Sequence, residues 1–152
     1  LHEIHIWSPL QHENIIPLLG ITTKFDRTVS IVTEWMERGN AHQYVQDIAV
    51  DPRPLHVLQL LDIARGMNYL HSHGIAHGDL KGENVLISGS GRALVTDFGF
   101  SRLLNPPPIL DVDPPRGGTL PWMAPEKLDT RAVTREADVW AFGMTALVST
   151  LP

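Results

Sequence analysis

His77-Gly78-Asp79-Leu80-Lys81-Gly82-Glu83-Asn84, with Asp97-Phe98-Gly99 beginning 13 residues after Asn84 and Ala124-Pro125-Glu126 further on, is the stretch that decides the fold. Asp79, Lys81 and Asn84 fall within six positions, between a segment that reads as a helix and one that reads as a strand. Loops held by rigid elements are where reactive groups concentrate. Asp97 closes a second strand-like run, and Gly99 beyond it lets the chain turn sharply. Two carboxylates and an amide converging on one point suit a magnesium ion that carries phosphate oxygens, because magnesium prefers hard oxygen ligands. A lysine beside them can neutralise charge on a transferring phosphoryl group.

Upstream of this stretch, residues 54–73 carry Val57, Leu60, Leu61, Ala64 and Met67 at helical spacing, with Gly74 just past the end. Downstream, Val85–Ile87 and Ala93–Thr96 read as short strands joined by the turn Ser88-Gly89-Ser90-Gly91. Nearer the start, Leu1, Ile4 and Trp7 suggest the tail of a helix that ends near Pro9. Strands are expected over Leu18–Thr22 and Thr28–Thr33, with Lys24–Arg27 as their turn and a short helix after Arg38-Gly39-Asn40. Residues 105–121 hold Pro106, Pro107, Pro108, Pro114, Pro115 and Pro121 and read as an irregular loop. Residues 135–149 form a strongly apolar helix with Thr134 as its N-cap. Strands early and helices late make an α+β arrangement.

The chain has 152 residues, 43% hydrophobic and 19% charged, which excludes a disordered polymer. A formal charge of −5 argues against a dedicated nucleic-acid binder. No apolar run reaches the roughly 18 residues that span a bilayer. No secretory leader is visible, and there is no cysteine for a disulfide framework or thiolate metal site. These absences suit a cytoplasmic protein; they leave oligomeric state open. The chain starts at Leu1 and stops at Pro152 inside apparent structure, so it reads as the middle of a larger domain.

At the motifs quoted above the chain resembles the protein kinase family, and the likeness runs from Leu1 to the final helix. The resemblance implies a two-lobed α+β kinase fold truncated at both ends. Residues 1–34 would hold the end of the regulatory helix and the last small-lobe strands, 35–40 the hinge, and 41–152 the large lobe as far as the helix with Asp138. It implies that Asp79 orients the substrate hydroxyl and accepts its proton. Lys81 would steady the γ-phosphate, Asn84 would ligate a second magnesium, and Asp97 would bind the magnesium that bridges the nucleotide phosphates. ATP and Mg2+ are the implied cofactors, and a protein with a Ser or Thr hydroxyl is the implied partner.

By the same resemblance, Glu3 is the helix glutamate that pairs with a nucleotide-binding lysine. Thr33 is the gatekeeper, the backbone of Glu34 and Met36 meets adenine, and Leu86 covers its other face. Asp138 would anchor the catalytic-loop backbone, and Trp7, Leu18, His77 and Phe98 would form an internal spine. Asp-Leu-Lys-x-x-Asn and Gly118-Thr119-Leu120-Pro121-Trp122, where Thr119 would contact Asp79 and Lys81, point to serine/threonine specificity. Trp122–Glu126 is similar to the tyrosine-kinase-like branch.

Three departures stand out. Neither a glycine-rich phosphate loop nor a strand lysine is present, and Lys24, the one lysine in residues 1–80, follows the Glu3 helix. Glu126 would lack the arginine it normally meets and stay buried and unpaired, so the chain alone is expected to fold poorly and lack kinase activity. Gly78 stands where many kinases have an arginine that grips a phosphorylated loop, and no Ser, Thr or Tyr lies between Arg102 and Gly118. The loop is therefore expected not to be switched by phosphate. The alternative is a pseudokinase scaffold or a non-functional truncated kinase.

Overall fold

The structure, a computed structural model, describes residues 2–24, 28–46, 52–106, 117–130 and 132–150. The expected Lys24–Arg27 turn lies mostly outside these residues, as does the centre of the proline-rich loop.

The chain opens with α1 (His2–Trp7), which turns Ile6 and Trp7 into the core. Ile4 of the expected apolar stripe is only half-buried. The Trp7 indole fixes the entry of the next segment by donating to the Ile16 carbonyl at 2.7 Å. Strands β1 (Leu18–Thr22) and β2 (Ser30–Thr33) form an antiparallel ribbon in which Leu18 faces Thr33. β2 begins two residues later than the sequence suggests. Residues 34–40 then cross to α2 (Ala41–Val45), capped by the Asn40 side chain accepting from the Gln43 amide at 2.9 Å.

The long helix α3 (Pro52–Ser72) is the central support. Its buried face is Gln59, Ile63, Met67 and Leu70. Of the residues expected from spacing, Met67 is buried and Leu60 packs against the core, whereas Val57 and Leu61 are 67% and 45% exposed. Apolar residues occupy both flanks of this helix, so periodicity alone does not choose between them.

After α3 come β3 (Ile75–Ala76), a 3-10 turn at Gly82–Asn84, and the hairpin β4 (Val85–Ile87) and β5 (Ala93–Val95), paired Val85 to Val95. β6 (Arg102–Leu103) pairs antiparallel with β3, a contact that its two-residue length hides in the sequence. The strands therefore form three separate two-stranded ribbons, and α3 packs against β5 and β3. Leu120–Trp122 form a single 3-10 turn, where the sequence suggested irregular chain. Helix α4 (Pro125–Thr130) follows, and then α5 (Arg135–Thr150). The Thr134 hydroxyl caps α5 by accepting from the Ala137 amide at 3.1 Å. Phe98, Leu70, Leu80, Val85 and Val95 are fully buried at the centre.

Candidate active site

The loop between β3 and the 3-10 turn is held from behind. Asp138, buried on α5, accepts from the His77 amide at 2.8 Å and the Gly78 amide at 2.9 Å. His71, near the end of α3, meets the same carboxylate through Nε2 at 2.8 Å. The buried His77 ring lies 3.0 Å from the Thr96 carbonyl and 5.6 Å, centroid to centroid, from Phe98. Phe98 in turn meets Trp7 at 5.1 Å, and Leu18 packs on the same core, so the four expected spine residues join one core.

With its backbone so anchored, the loop turns the Asp79 carboxylate toward four donors. Oδ1 accepts from the Thr119 amide at 2.8 Å and the Thr119 hydroxyl at 3.0 Å. Oδ2 accepts from Lys81 Nζ at 3.0 Å and from Asn84 Nδ2 at 3.3 Å. Asn84 Nδ2 also donates to the Asp79 carbonyl at 2.8 Å, and Lys81 Nζ donates to Thr119 Oγ1 at 2.6 Å. Asp79, Lys81 and Asn84 thus form one cluster, and Thr119 closes it from 38 residues beyond Lys81.

Asp97 lies just past β5, one residue from Thr96, whose amide donates to the Asn84 carbonyl at 3.0 Å. Its φ of 63° is the one positive value at a non-glycine residue among those described. The Asp97 carboxylate accepts from the Gly99 amide at 3.2 Å, and no hydrogen bond among the described residues ties it to Asp79. Its charge is felt by Glu3. Burial, and then repulsion from Asp97, push the Glu3 carboxyl above its ordinary value, while the Phe98 backbone amide opposes the rise.

The remaining expected residues line a second edge. Thr33 ends β2, Glu34 is exposed and Met36 is buried. Residues 36–40 run beside β4, with Asn40 bridged to Leu86 and the Ile87 amide donating to the Gly39 carbonyl at 2.8 Å. Among the described residues, the Glu34 carbonyl and Met36 amide join no hydrogen bond. Such an unpaired acceptor and donor, two residues apart just past β2, suit the edge of a planar base.

A nucleotide-bound magnesium fits the donor set. The Asn84 amide nitrogen is spent on Asp79, which leaves Oδ1 as a hard ligand. Asp97 brings a carboxylate as a second source of hard oxygen ligands. Among the described residues no three His, Asp or Glu gather as a self-sufficient metal cage. Magnesium takes one or two protein oxygens and completes its shell with phosphates and water.

Two findings were not foreseen. Glu126 is exposed, so the expected cost of a buried, unpaired carboxylate does not arise. Lys127 beside it is buried, and its ammonium donates to the Gly78 carbonyl. The available signal was its spacing of three from buried Ala124, which immediately precedes α4 and whose carbonyl accepts from the Lys127 amide at 2.9 Å.

Residues 1–147 match the family of protein tyrosine and serine/threonine kinases, and the chain belongs to it. It is 38% identical to ephrin type-A receptor 5 of Rattus norvegicus over 95% of this chain and 14% of the receptor. It is 38% identical to serine/threonine/tyrosine-protein kinase HT1 of Arabidopsis thaliana over 93% of this chain and 36% of that protein. Dual specificity protein kinase zak2 of Dictyostelium discoideum is 34% identical over 94% of this chain and 26% of its own length. The chain therefore spans about a third or less of these relatives. None of the described helices is long and apolar enough to cross a membrane.

Proposed function

We propose that the protein transfers the γ-phosphoryl group of ATP to a serine or threonine hydroxyl of a protein substrate. The observation that carries this reading is the Asp79–Lys81–Asn84–Thr119 cluster. Asp79 receives the substrate hydroxyl and holds its proton as the oxygen attacks. Lys81 lies 3.0 Å from the Asp79 carboxylate, where its charge offsets that gathering on the transferring group. Asn84 and Asp97 would hold magnesium, which when bound supplies charge neutralisation to the phosphates. The Glu34 carbonyl and Met36 amide would hold adenine between Thr33 and Leu86, and Glu3 would stand ready for a cationic partner. Residues 1–34 serve as small-lobe chain, 35–40 as hinge and 41–152 as large lobe, and we place the reaction in the cytoplasm.

Serine/threonine preference rests on Lys81 and Thr119, which bond each other at 2.6 Å beside Asp79. The names of HT1 and zak2 span both hydroxyl classes, so peptide choice is the deciding assay. Loop control by phosphate is disfavoured: Ser101 is buried with its hydroxyl on the His77 carbonyl, and Thr119 is engaged by Asp79 and Lys81. With the protein expressed from its complete gene, Mg2+-ATP and matched peptides, we expect phosphoserine or phosphothreonine as product. Asp79→Asn should lower kcat by about 10²–10⁴, and phosphatase treatment of the enzyme should leave the rate unchanged. Phosphotyrosine alone would overturn the specificity; no phosphotransfer from the wild type would favour a scaffold.

A further inference from the structure

Lys127 is an unusual tenant of its site. It is 8% exposed, and it lines a pocket with Gly78, Asp79, Thr119, Trp122 and Asp138. Its ammonium donates to the Gly78 carbonyl, the peptide group that leads directly into Asp79. It also reaches the loop that brings in Thr119: a Cβ built on Gly118 would lie 3.2 Å from Lys127 Nζ and 3.7 Å from Asp79 Oδ1. Burial pulls the lysine below its ordinary basicity, and the charges of Asp79 and Asp138 act against that pull. An ion this buried persists where opposite charge and a hydrogen-bond acceptor surround it.

Position 78 itself has no room for a cation. Gly78 has φ 85°, and a Cβ there would stand 2.5 Å from the Phe100 carbonyl oxygen and 3.1 Å from Val133 Cγ1. Any side chain would force the backbone after Asp97-Phe98-Gly99 to shift. The positive charge behind the loop comes instead from α4, 49 residues away.

We infer that Lys127 is a positioning residue for phosphotransfer: a fixed internal cation that clamps the Gly78–Asp79 peptide to the chain following the proline-rich loop. Asp79 is then aimed by an encoded charge. The kinetic consequence rests on the reading of the protein as an active kinase; the clamp itself does not. Lys127→Met keeps the length of the side chain and removes the charge, and Lys127→Arg keeps the charge.

The test compares both variants with wild type, each expressed from the complete gene, by peptide phosphorylation and amide hydrogen exchange. In Lys127→Met, kcat should fall about tenfold or more through misalignment of Asp79. KM for ATP should stay within about twofold, since the adenine edge is untouched. Exchange should rise at His77–Asp79 and Thr119 and hold at β4 and β5. Lys127→Arg should retain more activity and more protection than Lys127→Met. Wild-type kcat in Lys127→Met, Met and Arg variants that fall equally, or exchange that rises equally in β4 and β5, overturns the inference. A wild type without phosphotransfer refutes the kinase reading, and exchange at Gly78, Asp79 and Thr119 then decides the clamp alone.

Discussion

Glu3 and Asp97 lie 94 positions apart in the chain, yet the charge of Asp97 acts on the Glu3 carboxyl. Asp97 is held there by a backbone at φ 63°, a region that costs a non-glycine residue roughly 1–3 kcal/mol. Such strain persists where the surroundings over-determine it, and here the Gly99 amide and the neighbouring Phe98 core do so. Glu3 answers with a carboxyl raised above 4.5 by burial first and Asp97 second. A group whose folded value is raised contributes stability that is full below its unfolded value and lost as pH climbs through the folded one. Above that point the Glu3 charge is a net burden. Glu3→Gln should therefore be more stable than wild type near neutrality, and the advantage should vanish as pH falls toward 4.5. Denaturant midpoints of both proteins across that range check it; an advantage that grows on acidification would contradict the stated cause.

At the scale of elements, the junction of α3 with β5 decides how well the hairpin is seated. Gly66 lies where a Cβ would stand 2.7 Å from the Asn14 carbonyl oxygen and 3.1 Å from Val95 Cγ2. That carbonyl cannot retreat easily, because it accepts from the Val95 amide at 2.9 Å while the Ile16 amide donates to the Val95 carbonyl at 3.0 Å. Alanine would add about 1 kcal/mol of helix propensity, but overpacking costs about 1–3 kcal/mol. We expect Gly66→Ala to lower stability by about 1 kcal/mol or more, which moves Tm down by roughly 2–4 °C in a domain of this size. A raised Tm would show that the segment at Asn14 yields. Elements with local signals were legible before any coordinates: the Ser-Gly-Ser-Gly hairpin, the Thr134 cap and β1 stand where turn and cap chemistry put them. The buried face of α3 was not, because Val57, Leu58 and Leu61 are apolar yet exposed. Nor were β6, whose pairing is set by tertiary approach, or Lys127, whose ammonium reaches the Gly78 carbonyl from 49 residues away and lies beside Gly118.

Across the whole molecule, Asp138 is the point where distant parts meet. It binds the end of α3 through His71, the loop of Asp79 through two amides, and belongs itself to α5. These partners lie 60–67 residues away in the chain, so the carboxylate links segments that fold far apart in sequence. The motif spacing made Asp79, Lys81 and Asn84 legible as one cluster, since they share a loop; Asp138 was legible only by resemblance, as no local pattern ties it to His77. Asp138→Ala would leave two buried amides without acceptors, at about 1–3 kcal/mol each, and His71 without its partner. The expected loss is therefore about 2–6 kcal/mol of stability, a large share of the 5–15 kcal/mol that holds a typical domain together. Hydrogen exchange distinguishes the hub from a local brace. If Asp138 unites the fold, protection should drop together in α3, in residues 77–79 and in α5; loss confined to residues 77–79 would show that α3 and α5 are held to each other by apolar packing alone.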